Sequence, residues 1–332
     1  MAKFLVTGAA GFIGSNFSRL AVDRGHQVLA LDCLTYAGHL ENLEPVEAHK
    51  NFRFEKRDIC DPKIGELLDK FQPDFLVNFA AESHVDRSIS DPLVFVETNI
   101  KGTANLLHHS LNYWKTHQGF RYLQVSTDEV YGSLGPTGKF EEKTPIDPSS
   151  PYSASKAGAD LLVKAWFHTY GLPAMITRCS NNYGPYQFPE KLIPHMIHCA
   201  LEGKPLPVYG DGKNIRDWIF VEDHCEGIFL ALEKGRPGSV YCFGGESEVE
   251  NIQLVETLCK ILDEKRPSKR TYNNQITFVK DRLGHDRRYA IENAFSRKEL
   301  GFRPNKNFQD GLRETVVWYL DNQSWCKKVL QK

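Results

Sequence analysis

The sequence is short of net charge, of long apolar runs and of clustered cysteines. Its 41 lysines and arginines stand against 42 aspartates and glutamates, which leaves a net charge of -1 and no overall field for a phosphate backbone. No apolar stretch approaches the ~20 residues that a membrane span needs. The N-terminal stretch MAKFLVTGAAGFIG becomes glycine-rich too early for the apolar core of a signal peptide. We therefore expect no nucleic-acid partner and no membrane partner.

The eight cysteines are scattered along the chain and include no C-x-x-C pair. A disulfide scaffold concentrates its cysteines in a short chain, and a zinc site spaces them two to four residues apart. The nearest approach to a metal cluster is His195-x-x-His198-Cys199, which is more typical of polar residues on a helix because no glutamate stands between the histidines. We predict free, mostly buried thiols, no metal, and a reducing, cytoplasmic location.

What the sequence does contain is a regular alternation of short apolar runs and longer amphipathic runs over its first 180 residues. The apolar runs, rich in Val, Ile, Leu and Phe, predict strands at 3–7, 26–32, 52–58, 74–80, 121–126 and 173–178. The amphipathic runs predict helices at 12–24, 62–71, 92–114 and 151–170. Alternation of this kind indicates an α/β protein, a Rossmann-type doubly wound parallel sheet with helices on both faces.

The alternation ends near residue 180. Proline and glycine interrupt SNNYGPYQFPEKLIP and GKPLPVYGDGKN, and helical runs return at 222–234, 251–264 and 308–321. A length of 332 residues suits one large domain or two closely packed ones. We predict a Rossmann domain over residues 1–180 and a smaller, loop-rich substrate lobe over 181–332. Because no low-complexity linker separates them, the two are expected to be interleaved.

The first predicted strand runs into a glycine-rich turn, Gly8-x-x-Gly11-x-x-Gly14, and then into a helix. The first glycine permits the tight turn, the second lets the backbone approach a pyrophosphate, and the third allows close packing of helix and strand. Free N–H groups at the helix start, around Phe12 and Ile13, would meet the phosphates. A second copy of the spacing, at 132–138, contains a proline and opens no helix, so it predicts a loop.

An acidic residue, Asp32, ends the second predicted strand. A carboxylate at this position accepts hydrogen bonds from a ribose 2′-hydroxyl and repels a 2′-phosphate. The sequence therefore favours NAD over NADP as the cofactor.

A second motif, Tyr152-x-x-x-Lys156, lies at the start of a predicted helix. The two side chains would lie one turn apart on one face, where the ammonium favours the phenolate and lowers the pKa of the tyrosine. A phenolate beside nicotinamide is a base for an alcohol that loses hydride. The same spacing in Tyr209–Lys213 contains two glycines, which argue against a helix there.

A third motif, VSTDEVYG, places Thr127, Asp128 and Glu129 at the carboxyl end of a predicted strand, where ligands bind in open parallel sheets. Thr127 would donate a hydrogen bond to a substrate oxygen. Adjacent carboxylates are usually a solvated turn. At the mouth of a cofactor site they can instead differ in burial, so that one is protonated and acts as an acid while the other is ionised and acts as a base. From the residues alone, both interpretations stay open.

Taken together, the motifs TGAAGFIGS, DCLTYAG, AAESHVDRS, VSTDEVYG, SPYSASKA, SNNYGPYQFPEKLIP, YGDGKNIRDW and DRLGHDRRYAI resemble those of the dTDP-glucose 4,6-dehydratases, a family of the extended short-chain dehydrogenase/reductase superfamily. The resemblance runs from the first strand to about residue 290. The glycine and Tyr/Lys motifs occur throughout the superfamily, whereas TDEVYG, ESHVDRS and GHDRR are far more specific.

The resemblance implies a redox cycle on tightly held NAD. Tyr152, assisted by Lys156 and Thr127, would take the proton of the C4 hydroxyl of the glucose while hydride leaves for nicotinamide. Glu129 would then remove the C5 proton, and Asp128 would protonate the departing C6 hydroxyl. Hydride returns to C6, which gives dTDP-4-dehydro-6-deoxyglucose and regenerates NAD.

The resemblance also implies two sets of contacts and a homodimer through the helices at 92–114 and 151–170. The NAD contacts would be Gly8, Gly11, Phe12, Ile13, Gly14, Asp32, Leu34, Thr35, Asp58, Ile59, Ala80, Ala81, Thr98, Tyr152, Lys156 and Asn182. The nucleotide-sugar contacts would be Ser83, Thr127, Asn181, Lys191, Leu192, Pro207, Tyr209, Arg216, Asn251, Asp281, Arg282 and His285. A diphosphate needs cationic donors, which Lys191 and Arg216 would supply.

Two other functions remain possible on the same motifs. A nucleotide-sugar 4-epimerase shares the fold, the NAD and the Tyr/Lys pair, but generally lacks the adjacent carboxylates, because it returns hydride to the carbon it oxidised. A non-catalytic NAD-binding regulatory protein would tolerate loss of Tyr152 or Lys156, and both are present. Thymine and uracil differ by one methyl group, worth only ~1–3 kcal/mol in an apolar pocket, so the motifs leave the nucleotide open.

Overall fold

The structure is a computed structural model that describes residues 1–281 and 284–331; the predicted substrate contact Arg282 lies outside the described residues. The strands are β1 Lys3–Thr7, β2 Gln27–Asp32, β3 Phe52–Lys56, β4 Phe75–Asn78, β5 Arg121–Thr127, β6 Ala174–Cys179, β7 Asn181–Tyr183, β8 Leu206–Tyr209, β9 Ile215–Phe220, β10 Val240–Phe243, β11 Glu248–Glu250 and β12 Ile276–Val279. The helices are α1 Phe12–Asp23, α2 Ile64–Phe71, α3 Val85–Ser90, α4 Pro92–Phe95, α5 Thr103–Trp114, α6 Pro151–Tyr170, α7 Leu192–Leu201, α8 Val221–Lys234, α9 Asn251–Lys265, α10 Ala294–Leu300, α11 Phe308–Asp321 and α12 Gln323–Leu330.

The main sheet has seven strands in the order β10-β6-β5-β4-β1-β2-β3, and every neighbouring pair is parallel. Its central strands are buried on both faces, as continuous runs of Val, Ile, Leu and Phe require. The direction of winding reverses at β1, which has β2 on one side and β4 on the other. Ligands in such sheets bind outside the carboxyl ends of the strands at that reversal. The predicted Rossmann-type α/β fold is confirmed.

The seventh strand and one of the flanking helices come from beyond residue 180. β10 pairs with β6, and α8 packs against α1, where the rings of Phe229 and Phe17 stack with centroids 4.5 Å apart. The chain therefore leaves the main sheet after β6 and returns to complete it, because β6 would otherwise present an unpaired edge. The division at residue 180 stays a prediction.

The rest of the C-terminal half forms a second layer over the carboxyl edge of the main sheet. Its three-stranded sheet has the order β11-β9-β7, and a separate parallel pair joins β12 to β8. Helices α7, α9, α11 and α12 pack around these strands, with Trp218, Leu258 and Phe308 in their common core. None of these five strands was predicted, because they lie among prolines, glycines and polar residues outside the strand–helix alternation of the first 180 residues.

The predicted helix over 92–114 is interrupted. After α4 the backbone makes a wider π-helical turn over Val96–Gly102 before α5 begins. Thr98 in this turn lines the cleft described below. The side-chain amide of Asn99 accepts from the Glu82 N–H at 2.9 Å and donates to the Glu82 carbonyl oxygen at 3.0 Å. Such bulges inside helices occur frequently at functional sites. Among the described residues, no helix is long and apolar enough to cross a bilayer.

Candidate functional site

A cleft of about 530 Å³ opens at the carboxyl edge of the main sheet. The glycine turn forms its floor. Gly8 has φ +65°, and a Cβ placed there would lie 2.5 Å from the backbone nitrogen of Ala80. A Cβ on Gly14 would lie 2.2 Å from the carbonyl oxygen of Gly8. Both positions therefore need glycine, as a close-packed phosphate-binding turn requires.

Helix α1 begins at Phe12 directly above this turn. Its N-cap residue, Gly11, provides no side-chain cap, and the first turn carries no acidic residue. The N–H groups at this helix end are thus left to an outside acceptor, and the positive end of the helix dipole favours an anion there. The second copy of the glycine spacing, at 132–138, forms a loop with no helix, as predicted.

Asp32, 8% exposed, ends β2 at the rim of the cleft. Its Oδ2 accepts a hydrogen bond from the Ala10 N–H at 3.0 Å and its Oδ1 accepts one from the Leu34 N–H at 2.7 Å. Gly38 covers it closely, since a Cβ at that position would lie 2.6 Å from Oδ1. The carboxylate is held in one orientation by backbone donors. Leu34, which has φ +60°, does not line the cleft but contributes this backbone bond.

The cleft brings together the remaining residues that the sequence assigns to NAD. They are Gly8, Gly11, Phe12, Ile13, Gly14, Asp32, Thr35, Asp58, Ile59, Ala80, Ala81, Thr98, Tyr152, Lys156 and Asn182. A tight glycine turn, an uncapped helix start and a fixed carboxylate at the end of β2 are the three features that a dinucleotide needs. The residues present therefore fit NAD.

Tyr152 enters the cleft from the first turn of α6. Ser150 caps this helix, because its Oγ accepts from the Ser153 N–H at 3.1 Å while the Ser153 Oγ accepts from the Ser150 N–H at 3.0 Å. Pro151 occupies the first helical position, where its missing N–H costs nothing. The phenol is thus fixed at a helix end, only 8% exposed.

Lys156 lies one turn further along α6, 4% exposed, and donates from Nζ to the carbonyl oxygen of Val125 on β5 at 2.7 Å. Burial lowers the pKa of this lysine, and Asp160 opposes the change. The pKa of Tyr152 is raised well above its ordinary value, first by burial and then by the charge of Glu129, while a hydrogen bond with Thr127 acts in the opposite direction. The expectation of a lowered tyrosine pKa is therefore wrong for the protein alone, because burial is the largest influence and disfavours the phenolate.

The adjacent carboxylates begin a short 3₁₀ turn, Asp128–Tyr131, directly after β5. The Thr127 Oγ accepts from the Glu129 N–H at 3.2 Å and donates to the Asp128 Oδ1 at 3.3 Å. Asp128 is only 2% exposed, and burial, followed by the charges of Glu129 and Asp217, raises its pKa well above the ordinary value. Asp128 is thus not a solvated turn residue. Its environment favours the protonated form, whereas Glu129 is only partly buried.

Four residues of the predicted substrate set line the same cleft: Ser83, Thr127, Asn181 and Lys191. Lys191 donates from Nζ to the Ser83 carbonyl oxygen at 3.1 Å and lies 3.5 Å from the Glu190 carboxylate. The Asn181 Oδ1 is buried with no hydrogen-bond partner among the described residues, so it is an acceptor left for a ligand.

The other described residues of this set do not line the cleft: Leu192, Pro207, Tyr209, Arg216, Asn251, Asp281 and His285. Arg216 on β9, 5% exposed, donates from Nη2 to the Asp286 carbonyl oxygen at 2.9 Å, stands over the Tyr289 ring at 4.3 Å and lowers the pKa of Asp128. The imidazole of His285 lies 2.6 Å from Asp281, near the Tyr209 ring. The Tyr209–Lys213 spacing forms a turn, as predicted.

Several cleft residues had no signal in the sequence. Glu190 accepts from the Tyr36 hydroxyl at 3.2 Å and lies 3.6 Å from the His84 imidazole, so that loops 154 residues apart meet across the mouth of the cleft. Arg57, Glu82, Cys179, Ser180, Gln187 and Phe188 also line it. Asp217 on β9, whose charge raises the pKa of Asp128, was missed too, because a buried carboxyl looks like any other aspartate in a sequence.

No group of three metal-ligating side chains occurs among the described residues. The predicted helix around His195 and His198 is α7, where the Cys199 thiol lies 3.6 Å from the His195 ring. All eight cysteines lie within the described ranges and are free, six of them buried.

Known proteins share this sequence and this fold over nearly the whole chain. The family model described as GDP-mannose 4,6 dehydratase matches residues 5–315. A dTDP-glucose 4,6-dehydratase of Xanthomonas campestris pv. campestris is 55% identical over 338 residues, which cover 99% of this chain and 96% of the relative.

Two solved structures are informative beside it. A dTDP-glucose 4,6-dehydratase of Streptomyces venezuelae, solved with NAD and TYD bound, is 45% identical with a TM-score of 0.92 over 98% of this chain and 99% of that chain. A UDP-glucose 4-epimerase of Thermotoga maritima, solved with UDP-glucose, is 27% identical with a TM-score of 0.87 over 97% and 99% of the two chains. The fold is shared by both activities, whereas the sequence stands nearer to the dehydratases.

Proposed function

The chain belongs to the dTDP-glucose 4,6-dehydratase family, and we propose that its cleft converts dTDP-glucose into dTDP-4-dehydro-6-deoxyglucose and water with NAD as a recycled cofactor. The observation that carries the proposal is the pair of adjacent carboxyls beside Tyr152. Asp128 is buried and its environment favours the protonated form, while Glu129 is more exposed. A net elimination of water needs an acid and a base together, whereas simple oxidation needs only the Tyr152 phenolate.

NAD would supply the acceptor for the hydride from C4 and, once reduced, the donor for C6. The glycine turn and the start of α1 would hold its pyrophosphate, and Asp32 would accept hydrogen bonds from its ribose. The same carboxylate would repel the 2′-phosphate of NADP.

In the oxidation, the Tyr152 oxygen would accept the proton of the C4 hydroxyl. Burial opposes the phenolate that this step requires, so neighbours must support it. The Thr127 hydroxyl favours the phenolate through its hydrogen bond, and the Lys156 ammonium is held one helical turn away on the same face. Proton removal at oxygen and hydride loss at carbon leave a ketone at C4.

In the elimination, the C4 ketone makes the C5 proton acidic. Glu129 would accept this proton, and Asp128 would donate its own proton to the departing C6 hydroxyl, so that water leaves. The difference in burial suits this division of labour, because burial favours the protonated form of Asp128, and Glu129 is the less buried of the two. The return of hydride to C6 then completes the product.

For the nucleotide sugar, Lys191 would contact the diphosphate from the cleft mouth, and the Asn181 Oδ1 would accept from a substrate hydroxyl. Arg216 would influence the reaction through Asp128, whose pKa its charge lowers. The thymine base is the part of the proposal with the least support in the chain itself. The relatives named for dTDP-glucose are the reason to prefer it over the GDP sugar in the name of the family model.

The proposed partner is a second copy of the chain. The segment that joins α3 to α5 exposes Ile89, Leu93, Val94 and Val96, and α6 exposes Leu161. Leu93 is 75% exposed and Leu161 54%, and apolar side chains grouped in this way are typical of an interface. Sedimentation of the purified protein would give the mass of a homodimer. The eight free cysteines support a cytoplasmic location.

The test of the proposal is the identity of the product. The purified protein would be incubated with dTDP-, UDP-, CDP- and GDP-glucose, and the products would be identified by mass and NMR. We expect loss of one water and a 4-keto-6-deoxy sugar, fastest from dTDP-glucose. An unchanged mass with inverted C4 would establish the 4-epimerase alternative. Retained NAD without turnover of any of the four would point to the regulatory alternative.

A further inference from the structure

A third carboxyl, Asp217, stands beside the two in the motif. It lies on β9 and is 1% exposed. Its Oδ1 accepts from the Ser247 N–H at 2.8 Å, whereas its Oδ2 is buried with no hydrogen-bond partner among the described residues. Gly244 lies against it, because a Cβ there would be 2.6 Å from Oδ2. The backbone fixes this side chain in a space that admits no larger neighbour.

The fold brings Asp217 to Asp128 through short strands. Thr127, which precedes Asp128, pairs with Cys179 at the end of β6, and the chain continues directly into β7. Asn181 on β7 pairs with Trp218, the neighbour of Asp217 on β9. The Oδ2 atoms of Asp128 and Asp217 are both buried and both without a partner in the described part of the chain. Ser247, Ser180 and Lys139 favour the charge of Asp217, while burial and Glu248 oppose it. A charge on Asp217 disfavours a second charge on Asp128.

We propose that Asp217 is a positioning residue for the elimination step, whose negative charge keeps Asp128 protonated until the C6 hydroxyl leaves. Asp217 does not line the cleft, so it acts through Asp128 and not on the sugar. The inference rests on the proposed function, because it assigns a source to the proton that dehydration needs.

The charges around Asp128 agree with this role. Glu129 and Asp217 both disfavour its ionisation, while Arg216 and the Thr127 hydroxyl favour it, and burial is the largest influence. The nearby thiols of Cys179 and Cys242 are neutral at ordinary pH, since burial raises the pKa of each. The guanidinium of Arg216 is itself occupied by carbonyl oxygens of Ile215 and Asp286, at 2.8 and 2.9 Å.

The direction of the effect follows from the sign of the charge on Asp217. Burial raises the pKa of Asp217 to about 6, so its charge is present at neutral pH and disfavours ionisation of Asp128. Removing that charge lowers the pKa of Asp128. Asp128 then loses its proton at a lower pH, so the basic limb of the pH–rate profile for product formation moves to lower pH.

The experiment compares Asp217→Asn, which keeps the size and the bond from Ser247, with wild type. We expect the basic limb of product formation to move down by roughly one pH unit, which is a roughly tenfold loss at a fixed pH on that limb. The rate of NAD reduction in a single turnover should stay within twofold. The matched control is Asp223→Asn, a buried aspartate on α8 that also accepts backbone N–H bonds, from Asn305 and Lys306, but lies away from the cleft. In Asp223→Asn the basic limb of product formation should stay where it is in wild type.

An unchanged limb in folded Asp217→Asn would overturn the inference, and so would equal losses of NAD reduction and product. If the variant does not fold, infrared titration of the wild-type protein decides. A carboxylic-acid C=O band that Asp128→Asn abolishes should persist above pH 7, and its absence there would also overturn the inference. Wild type that forms no dehydrated product would instead overturn the proposed function, so the two failures are distinguishable.

Discussion

The two halves of the cleft contain different kinds of chemical group. The half assigned to the cofactor is dominated at the ends of β1 and β2 by backbone groups, glycines and the fixed carboxylate of Asp32. The half assigned to the sugar contains the buried carboxyl of Asp128, and outside the cleft lining the buried Asp217 and Arg216 on β9 act on its ionisation. The first half binds a ligand that is unchanged after each cycle. The second must move protons, and buried carboxyls are how a protein holds a proton ready at neutral pH.

This division predicts that each half can be damaged separately. The boundary between the two halves is formed by Tyr152, Thr127 and Lys156. There the phenol would contact both NAD and the sugar. A substitution there should stop the cycle at its first step, whereas substitutions further out should change only the binding of NAD or only the binding of the sugar.

The largest effect is expected for Tyr152→Phe, which keeps the ring and removes the base. Turnover should fall by about 10²–10⁴-fold, because both later steps need the C4 ketone. No substrate-dependent NADH absorbance should appear in a stopped-flow trace, while the bound NAD released by acid should be unchanged. Tyr170→Phe, at the exposed end of the same helix, is the control. Near-normal turnover of Tyr152→Phe would remove the phenol from the mechanism.

A smaller effect is expected for Asp32→Asn, which should damage the cofactor half alone. The amide cannot accept from both Ala10 and Leu34 while also serving a ribose, so the dissociation constant of NAD should rise about 10–100-fold. Titration calorimetry on stripped protein would measure it. At saturating NAD, the KM for dTDP-glucose should not change.

Asp69→Asn, an exposed site on α2, is the control for this change. Recovery of NADP from acid-treated wild type, in place of NAD, would contradict the role given to Asp32.

The smallest of these effects is expected for Lys191→Met in the sugar half. Its ammonium is partly exposed, so the loss of one cation near a diphosphate should raise the KM for dTDP-glucose about tenfold and leave kcat and NAD content unchanged. Lys204→Met, an exposed lysine of the same lobe, is the control. A change in NAD content with an unchanged KM would place Lys191 in the other half.

The same contrast explains which parts of the fold and of the cleft could be predicted from the sequence. The cofactor half follows from short-range rules: Gly8, Gly14 and Asp32 each lie within a few residues of a strand end, and strand, turn and helix follow one another along the chain. Parallel pairing then places all strand ends at one edge. The Tyr152–Lys156 spacing and the adjacent carboxyls after a strand were also found from the residues, and the family resemblance added the separate roles of Asp128 and Glu129.

The sugar half depends on contacts between distant segments. Arg216 bonds a carbonyl 70 residues away, and Lys191 bonds one 108 residues away. A strand as short as β7 or β11 leaves no periodic signal. The burial that raises the pKa of Asp128 and of Tyr152 is likewise a property of the packed protein. This is why the solvated interpretation of Asp128 could not be excluded beforehand, and why the tyrosine pKa was predicted in the wrong direction.

The most direct test of the division of labour is Asp128→Asn, followed by stopped-flow absorbance of NADH against product yield over time. The amide keeps the size of the side chain but has no transferable proton. Reduction of NAD by dTDP-glucose should remain, with the NADH absorbance persisting, while formation of the 4-keto-6-deoxy product falls about 10²–10⁴-fold. Equal losses of NAD reduction and product would contradict the account, because Asp128 would then be needed to orient the sugar or support Tyr152. Unchanged rates of both would contradict it as well.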